Sequence, residues 1–291
     1  VNRIALNWGG LQRRYLLFAP RQPRAILVFL HGKGSTADWA DDETGWSHTA
    51  QREGFALALP EGLPPDTQAA PTFLNNPPGW NDGSAAQNFH LPYAPDRPNL
   101  SENRDDVGFL DAVLDHVSNQ LGNHSLPVCL SGFSNGAGMT FRYAAERSER
   151  LAAIAPVAGL CWVRDARLVR PLPTLYMIGD ADPLVPLRGG PVVSPWTNRL
   201  SQRPSVAETL ERWALVIGCQ EAPTVESDAD GVRTDIYPGP VSFRAVEIAG
   251  LGHHWPGGKG RLNPRIAGAP SRRVNANELI WRFFEQLIGA G

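Results

Sequence analysis

Short apolar runs of strand length alternate with segments of helical period along this 291-residue chain. Leu11–Phe18 reads as a strand, as do residues 24–30, 55–59, 126–130, 151–157, 173–178 and 232–237, with Phe243–Ile248 the last of the series. Residues 37–53 between them are helix-compatible. Residues 105–121 carry Val107, Leu110, Val113, Leu114, Val117 and Leu121 at a helical period, with Asp105 and Asp106 where negative charge suits a helix N-terminus. Residues 205–217 and 275–288 repeat the pattern. The last has an apolar face of Leu279, Ile280, Phe283, Phe284, Leu287 and Ile288, and a cap-like start from Asn275 with Glu278. Alternation of this kind predicts an α/β fold: a mainly parallel central sheet, helices on both faces, one domain over 1–291. Two stretches break the rhythm. Residues 60–104 are rich in Pro and Asn, with Trp80, Phe89 and Tyr93 scattered through them, and 186–204 are rich in Pro, Gly and Arg. Loops this long in a compact domain are usually functional or mobile.

Bulk properties narrow the function classes. A net charge of −2 gives no electrostatic case for nucleic acid or an anionic membrane surface. No apolar run approaches the roughly 18 residues that span a bilayer. The chain opens Val-Asn-Arg without a basic-then-apolar leader, which leaves the compartment open. Three cysteines are too few for a disulfide scaffold. Cys129 reads as a small core residue, and Cys161 with Cys219 could form one bridge. No His/Cys spacing suggests a metal site, and no cofactor is expected.

The residues that carry chemistry begin at Gly132-Phe-Ser-Asn-Gly136, directly after an apolar strand and before a run that starts with small residues and turns to helix formers. A G-x-S-x-G between strand and helix lifts a serine hydroxyl out of the sheet, within reach of a base. Ser134 is a poor nucleophile unaided; it needs an imidazole, and the imidazole needs an orienting carboxylate. With this elbow the expected chain order is Ser, then Asp or Glu, then His, each on a loop after a later strand. Asp180 and Asp182 follow the 173–178 strand, and Asp182, turned at once by Pro183, is preferred. His253 and His254 follow the last strand on a glycine-rich loop, and one of them is the expected base. The other five histidines fit less well: His31 belongs to a separate loop, and His48, His90, His116 and His124 precede the elbow.

Charge developing on a substrate carbonyl oxygen needs two amide donors. The backbone N–H of Asn135 is the first candidate. The loop His31-Gly-Lys-Gly34, after the apolar strand 27–30, offers the second at Lys33, with His31 bracing the loop through its ring nitrogens. Trp80, Trp255 and His254 are expected to contact substrate, with Trp162 a further candidate for the pocket wall.

Together, His31-Gly-Lys-Gly, Gly132-Phe-Ser-Asn-Gly, Gly179-Asp-Ala-Asp-Pro-Leu-Val-Pro and Gly252-His-His-Trp-Pro-Gly-Gly resemble the α/β-hydrolase superfamily. More narrowly they resemble its polyhydroxybutyrate-depolymerase-like and feruloyl-esterase-like esterases, over roughly residues 24–288. That group's H-x-W-P-G run implies His253 as the base, and its D-x-x-V-P run matches Asp182 to Pro186. Asp106-Val-Gly-Phe-Leu and Gly79-Trp-Asn resemble its helix before the elbow and its tryptophan segment. The chain departs from the group where a cysteine often stands, at Lys33 and Gly79. The resemblance implies a cofactor-independent serine esterase acting through an acyl-enzyme on short-chain, aryl or hydroxyalkanoate-oligomer esters. Thioesters and peptides would be cleaved by the same residues, and a relative that only binds a ligand would not need all three of them.

Overall fold

The computed structural model describes residues 1–84, 104–164 and 166–289; Phe89, His90, Tyr93 and most of the 60–104 excursion lie outside them. In chain order the strands are β1 Asn2–Trp8, β2 Leu11–Phe18, β3 Ile26–Leu30, β4 Ala56–Pro60, β5 Val128–Phe133, β6 Ala153–Val157, β7 Thr174–Gly179, β8 Gly190–Val193, β9 Leu200–Arg203, β10 Thr224–Ala229, β11 Val232–Ile236 and β12 Phe243–Ile248. The helices are α1 Ala37–Thr44, α2 Trp46–Glu53, α3 Asp106–Leu121, α4 Asn135–Glu146, α5 Val206–Val216, α6 Pro264–Ala267 and α7 Ala276–Ile288.

Ten strands form one sheet in the order β1-β2-β4-β3-β5-β6-β7-β12-β11-β10. The central six, from β4 to β12, run parallel, and the two strands at each edge are antiparallel. Every residue of β3, β4, β6 and β7 is buried, which is what parallel strands covered on both faces require. Helices cover both faces of this sheet. Helices α3 and α4 are tied together by the Tyr143 hydroxyl donating to Asp111 at 2.7 Å. Phe55, between α2 and β4, stacks on Trp281 of α7 with ring centroids 4.2 Å apart. Each such ring, fully buried, contributes about 1.5–3 kcal/mol of transfer free energy.

Several elements differ from the sequence reading for local reasons. The helical stretch 37–53 is two helices, because Gly45 takes a left-handed φ of 70° and ends α1 where α2 begins. Strands β1 and β10 were not expected; β10 is exposed along its whole length and has no apolar alternation to betray it. The 186–204 stretch is an ordered hairpin, β8 paired antiparallel with β9. No Cys161–Cys219 bridge forms; all three cysteines are free and buried. Cys161 sits beside Thr209, near the start of α5, whereas Cys219 lies past its end. At 1.5 Å per residue that is on the order of 15 Å, too far for a disulfide. Burial holds the Cys161 thiol up at about 12, so it stays protonated. Among the described residues, no helix is long and apolar enough to cross a membrane.

Candidate active site

The site lies where the parallel strands end. Register places Leu30 of β3 opposite Gly132 of β5, and Gly179 of β7 opposite Ile248 of β12. The loops leaving β3, β5, β7 and β12 therefore emerge together at the carboxyl edge, the usual place for ligands in open α/β sheets.

Ser134 occupies the turn between β5 and α4 with φ 56° and ψ −117°, a conformation costly for any residue with a Cβ. Packing holds it there. A Cβ on Gly132 would come 2.3 Å from the Gly136 carbonyl oxygen, and one on Gly136 would come 2.2 Å from the Leu30 oxygen. Both glycines are thus dictated by the close approach of α4 to β5 and β3. The Ser134 N–H donates to Val157 O at 2.9 Å, which anchors the elbow on β6.

The Ser134 hydroxyl meets His253 Nε2 at 2.8 Å, and His253 Nδ1 meets Asp182 Oδ2 at 2.7 Å. A carboxylate can only accept, so Nδ1 carries the proton and Nε2 accepts from the hydroxyl. The other Asp182 oxygen accepts the backbone N–H groups of Leu184 and Val185, each at 2.8 Å. Asp182 is 3% exposed and His253 4%. The His253 ring also lies against Phe133, with centroids 4.8 Å apart. Asp180 turns elsewhere and accepts from the Gly250 N–H at 2.6 Å. That bond joins the loop after β7 to the loop after β12. The two loops meet so closely that a Cβ on Gly179 would lie 1.9 Å from Leu251 O.

The two amide candidates flank Ser134. Asn135 is the first residue of α4, where backbone N–H groups have no intrahelical acceptor. Lys33 follows Gly32, whose Cβ position would lie 3.4 Å from Ser134 Cβ. His31 braces this loop: its Nδ1–H donates to Gly32 O at 2.8 Å, and its Nε2 accepts from the Gly62 N–H at 2.9 Å. Burial holds His31 neutral, with its pKa lowered to about 4.

Three side chains expected to contact substrate are buried and hydrogen-bonded within the protein. Trp80 is 5% exposed, and its indole N–H donates to His31 O at 2.9 Å. It therefore holds the 31–34 loop from behind. Trp255 is 3% exposed, packs on Phe29, Trp46 and Phe133, and donates to Asn277 Oδ1. His254 is 1% exposed, with Nε2 bonded to the Gly268 carbonyl oxygen at 3.0 Å. In each case the apolar body belongs to the core and the polar tip ties down a loop. Trp162 is half-buried beside Gly83.

The structure also shows positioning groups that pattern reading misses. The Asn135 side chain accepts from Trp80 N at 2.7 Å and donates to Trp80 O at 3.1 Å and to buried Asp82 at 2.7 Å. The next N–H, on Asn81, donates to Asp106, which is fully buried and paired with Arg13 at 2.8 Å. No sequence spacing announces these contacts; the Asn within the elbow was the only signal. Among the described residues no group of three His, Cys, Asp or Glu could hold a metal ion.

No protein-family model matches the chain. A putative esterase, NocK, of Nocardia uniformis subsp. tsuyamanensis is 30% identical over 289 residues, covering 91% of this chain and 77% of its own length. A probable feruloyl esterase C of Aspergillus niger is 29% identical over 173 residues, covering 56% of this chain and 58% of its own. Among solved structures, an acetyl xylan esterase from Aspergillus awamori aligns with a TM-score of 0.57 at 14% identity, covering 87% of this chain and 94% of its own. TT1662 from Thermus thermophilus aligns with a TM-score of 0.52 at 18% identity, covering 100% and 99%. The structural neighbours share the fold, and the sequence relative extends over most of both chains. The chain belongs to the α/β-hydrolase esterases, enzymes that cleave carboxylic esters.

Proposed function

We propose that this protein hydrolyses carboxylic esters through an acyl-enzyme on Ser134, with no cofactor. The observation that carries the reading is the unbroken hydrogen-bond chain from Ser134 Oγ through His253 to Asp182, with its 2.8 Å and 2.7 Å links. As the Ser134 oxygen attacks the ester carbonyl carbon, its proton moves to His253 Nε2. The imidazolium so formed is stabilised by the Asp182 carboxylate, whose other oxygen is fixed by two backbone N–H groups. The carbonyl oxygen, now negative, is held by the backbone N–H groups of Asn135 and Lys33. One such donor is worth about 2.7–4 kcal/mol of barrier. Collapse of the tetrahedral species breaks the carbon–oxygen bond, and the alcohol leaves with the proton from Nε2. Water then gives a proton to the same nitrogen as its oxygen attacks the acyl carbon, and Nε2 returns that proton to Ser134 Oγ as the acid is released. His31, Trp80 and the Asn135 side chain fix the two donor segments, so little reorganisation is needed as charge develops. Short-chain and aryl esters, and oligomers of hydroxyalkanoates, are the substrates this reading covers. The whole chain 1–291 acts as one domain in it.

A fluorophosphonate probe tests the assignment. It should attach one adduct, and peptide mapping should find it on Ser134, with hydrolysis of p-nitrophenyl acetate lost in proportion. Full labelling of another residue, or full activity after labelling, would rule out Ser134 as nucleophile.

A further inference from the structure

The hairpin β8–β9 stands apart from the main sheet, and its tip reaches over to the oxyanion-side loop. The tip is held by Ser194. Its Oγ accepts the N–H groups of Trp196 and Thr197 at 3.3 Å, its carbonyl accepts from Asn198 at 2.9 Å, and its own N–H donates to Arg199 O at 2.9 Å. Trp196 is only half-buried, yet it is fixed in place: its indole N–H donates to Phe73 O at 2.8 Å. The Phe73 ring stands 5.9 Å from the Trp196 ring at 52°. Phe73, from a different segment, packs against the 31–34 loop beside Ser134, for a Cβ on Gly34 would come 2.7 Å from Phe73 Cδ2. The Lys33 ammonium sits 5.3 Å from the Trp196 ring centre, near enough for a cation–π contact.

This ledge is unusually apolar for a surface. Phe73, Leu74, Val193 and Leu200 are 39%, 54%, 52% and 69% exposed, and all four lie on the two segments that Trp196 joins. Contiguous exposed apolar side chains on a soluble domain usually mark a contact site. Two rings inclined to each other suit a third ring, which can stack offset on one and meet the edge of the other.

We propose that Trp196, with Phe73, determines specificity by packing against a planar aromatic group of the ester as it lies over the 31–34 loop. This rests on the serine-esterase reading above and adds a preference to it. The test uses three esters with the full-length wild type, Trp196→Ala and Trp196→Phe: methyl cinnamate (aromatic acyl group), phenyl acetate (aromatic alcohol) and ethyl acetate (neither). Trp196→Ala should raise KM about tenfold for at least one aromatic ester, and that ester identifies the side of the bond on the ledge. It should leave ethyl acetate within about twofold and fluorophosphonate labelling of Ser134 unchanged. Trp196→Phe keeps a ring but loses the N–H bond to Phe73, and should stay close to wild type on the aromatic esters. Equal losses on all three esters, in kcat and in both variants, would make Trp196 a structural brace and overturn the proposal. Unchanged kinetics throughout would overturn it as well. Failure of the underlying reading looks different: the wild type itself would then hydrolyse none of the three and take no label on Ser134.

Discussion

At the scale of single residues, the site depends on side chains held in states they would not adopt alone. Ser134 has a left-handed φ of 56°, and His31 is a histidine kept neutral by complete burial. The latter has a consequence for stability. His31 has a pKa near 4 in the folded chain and about 6.5 when unfolded, so below pH 6.5 the unfolded state binds a proton that the folded state refuses. Stability from this group is therefore complete above pH 6.5 and is lost progressively as pH falls to 4, by on the order of 3 kcal/mol. Protonation would also remove the acceptor for Gly62 N–H and loosen the loop that carries Lys33. Glutamine offers a donor and an acceptor without titrating. Denaturant melts of wild type and His31→Gln between pH 7 and pH 4 should diverge, the wild type losing about 3 kcal/mol more. Parallel curves would show that His31 does not carry this dependence.

At the scale of elements, the elbow is a packing solution that the glycines make available. Helix α4 begins so close to β3 and β5 that Gly136 has a neighbouring carbonyl oxygen where a Cβ would be. Because that neighbour is backbone, Gly136→Ala can be accommodated only by moving α4 away from the sheet. The expected cost is about 3 kcal/mol or more, seen as a lowered Tm, together with a fall in kcat as the Asn135 N–H is displaced. An alanine variant with wild-type stability would mean that the helix is less tightly seated than the distances state. Legibility in the sequence divides along the same physical line. Buried parallel strands are continuous apolar runs, so β3, β4, β6 and β7 could be read directly. Helices α3, α5 and α7 announced themselves by period and by the caps Asp105, Ser205 and Asn275. The edge strand β10 escaped, being held by backbone pairing with no apolar burial, and β1 went unread although Ile4, Leu6 and Trp8 alternate and pack on the core. The hairpin carrying Trp196 escaped too, since its Pro and Gly content looks like loop.

At the scale of the whole molecule, residues far apart in the chain meet because the strand order is not the sequence order. Strands β3, β5, β6, β7 and β12 stand side by side, which brings residues 31–34, 134, 182 and 253 to one edge. Residue types and chain order made Ser134, Asp182 and His253 readable as candidates, because the chemistry demands an alcohol, an acid and an imidazole on successive loops. Proximity to a motif says nothing about which way a side chain packs, so the hydrogen-bond partners of its neighbours could not be read. Trp80, Trp255 and His254 stand beside the motifs and are buried behind them. Asp82 and Asp106 hold the tryptophan segment; Asp106 was legible only as an acid in the first turn of α3, and Asp82 lies on a loop with no pattern that marks it. In the proposed reaction Ser134 and His253 act as one unit. The most direct measurement is kcat/KM on p-nitrophenyl acetate for Ser134→Ala, His253→Ala and the double variant. Groups that act together are lost together, so each single variant should fall by about 10^4-fold or more and the double should fall no further. A double variant lower by the product of the two single losses, or a Ser134→Ala enzyme with wild-type rates, would contradict the account.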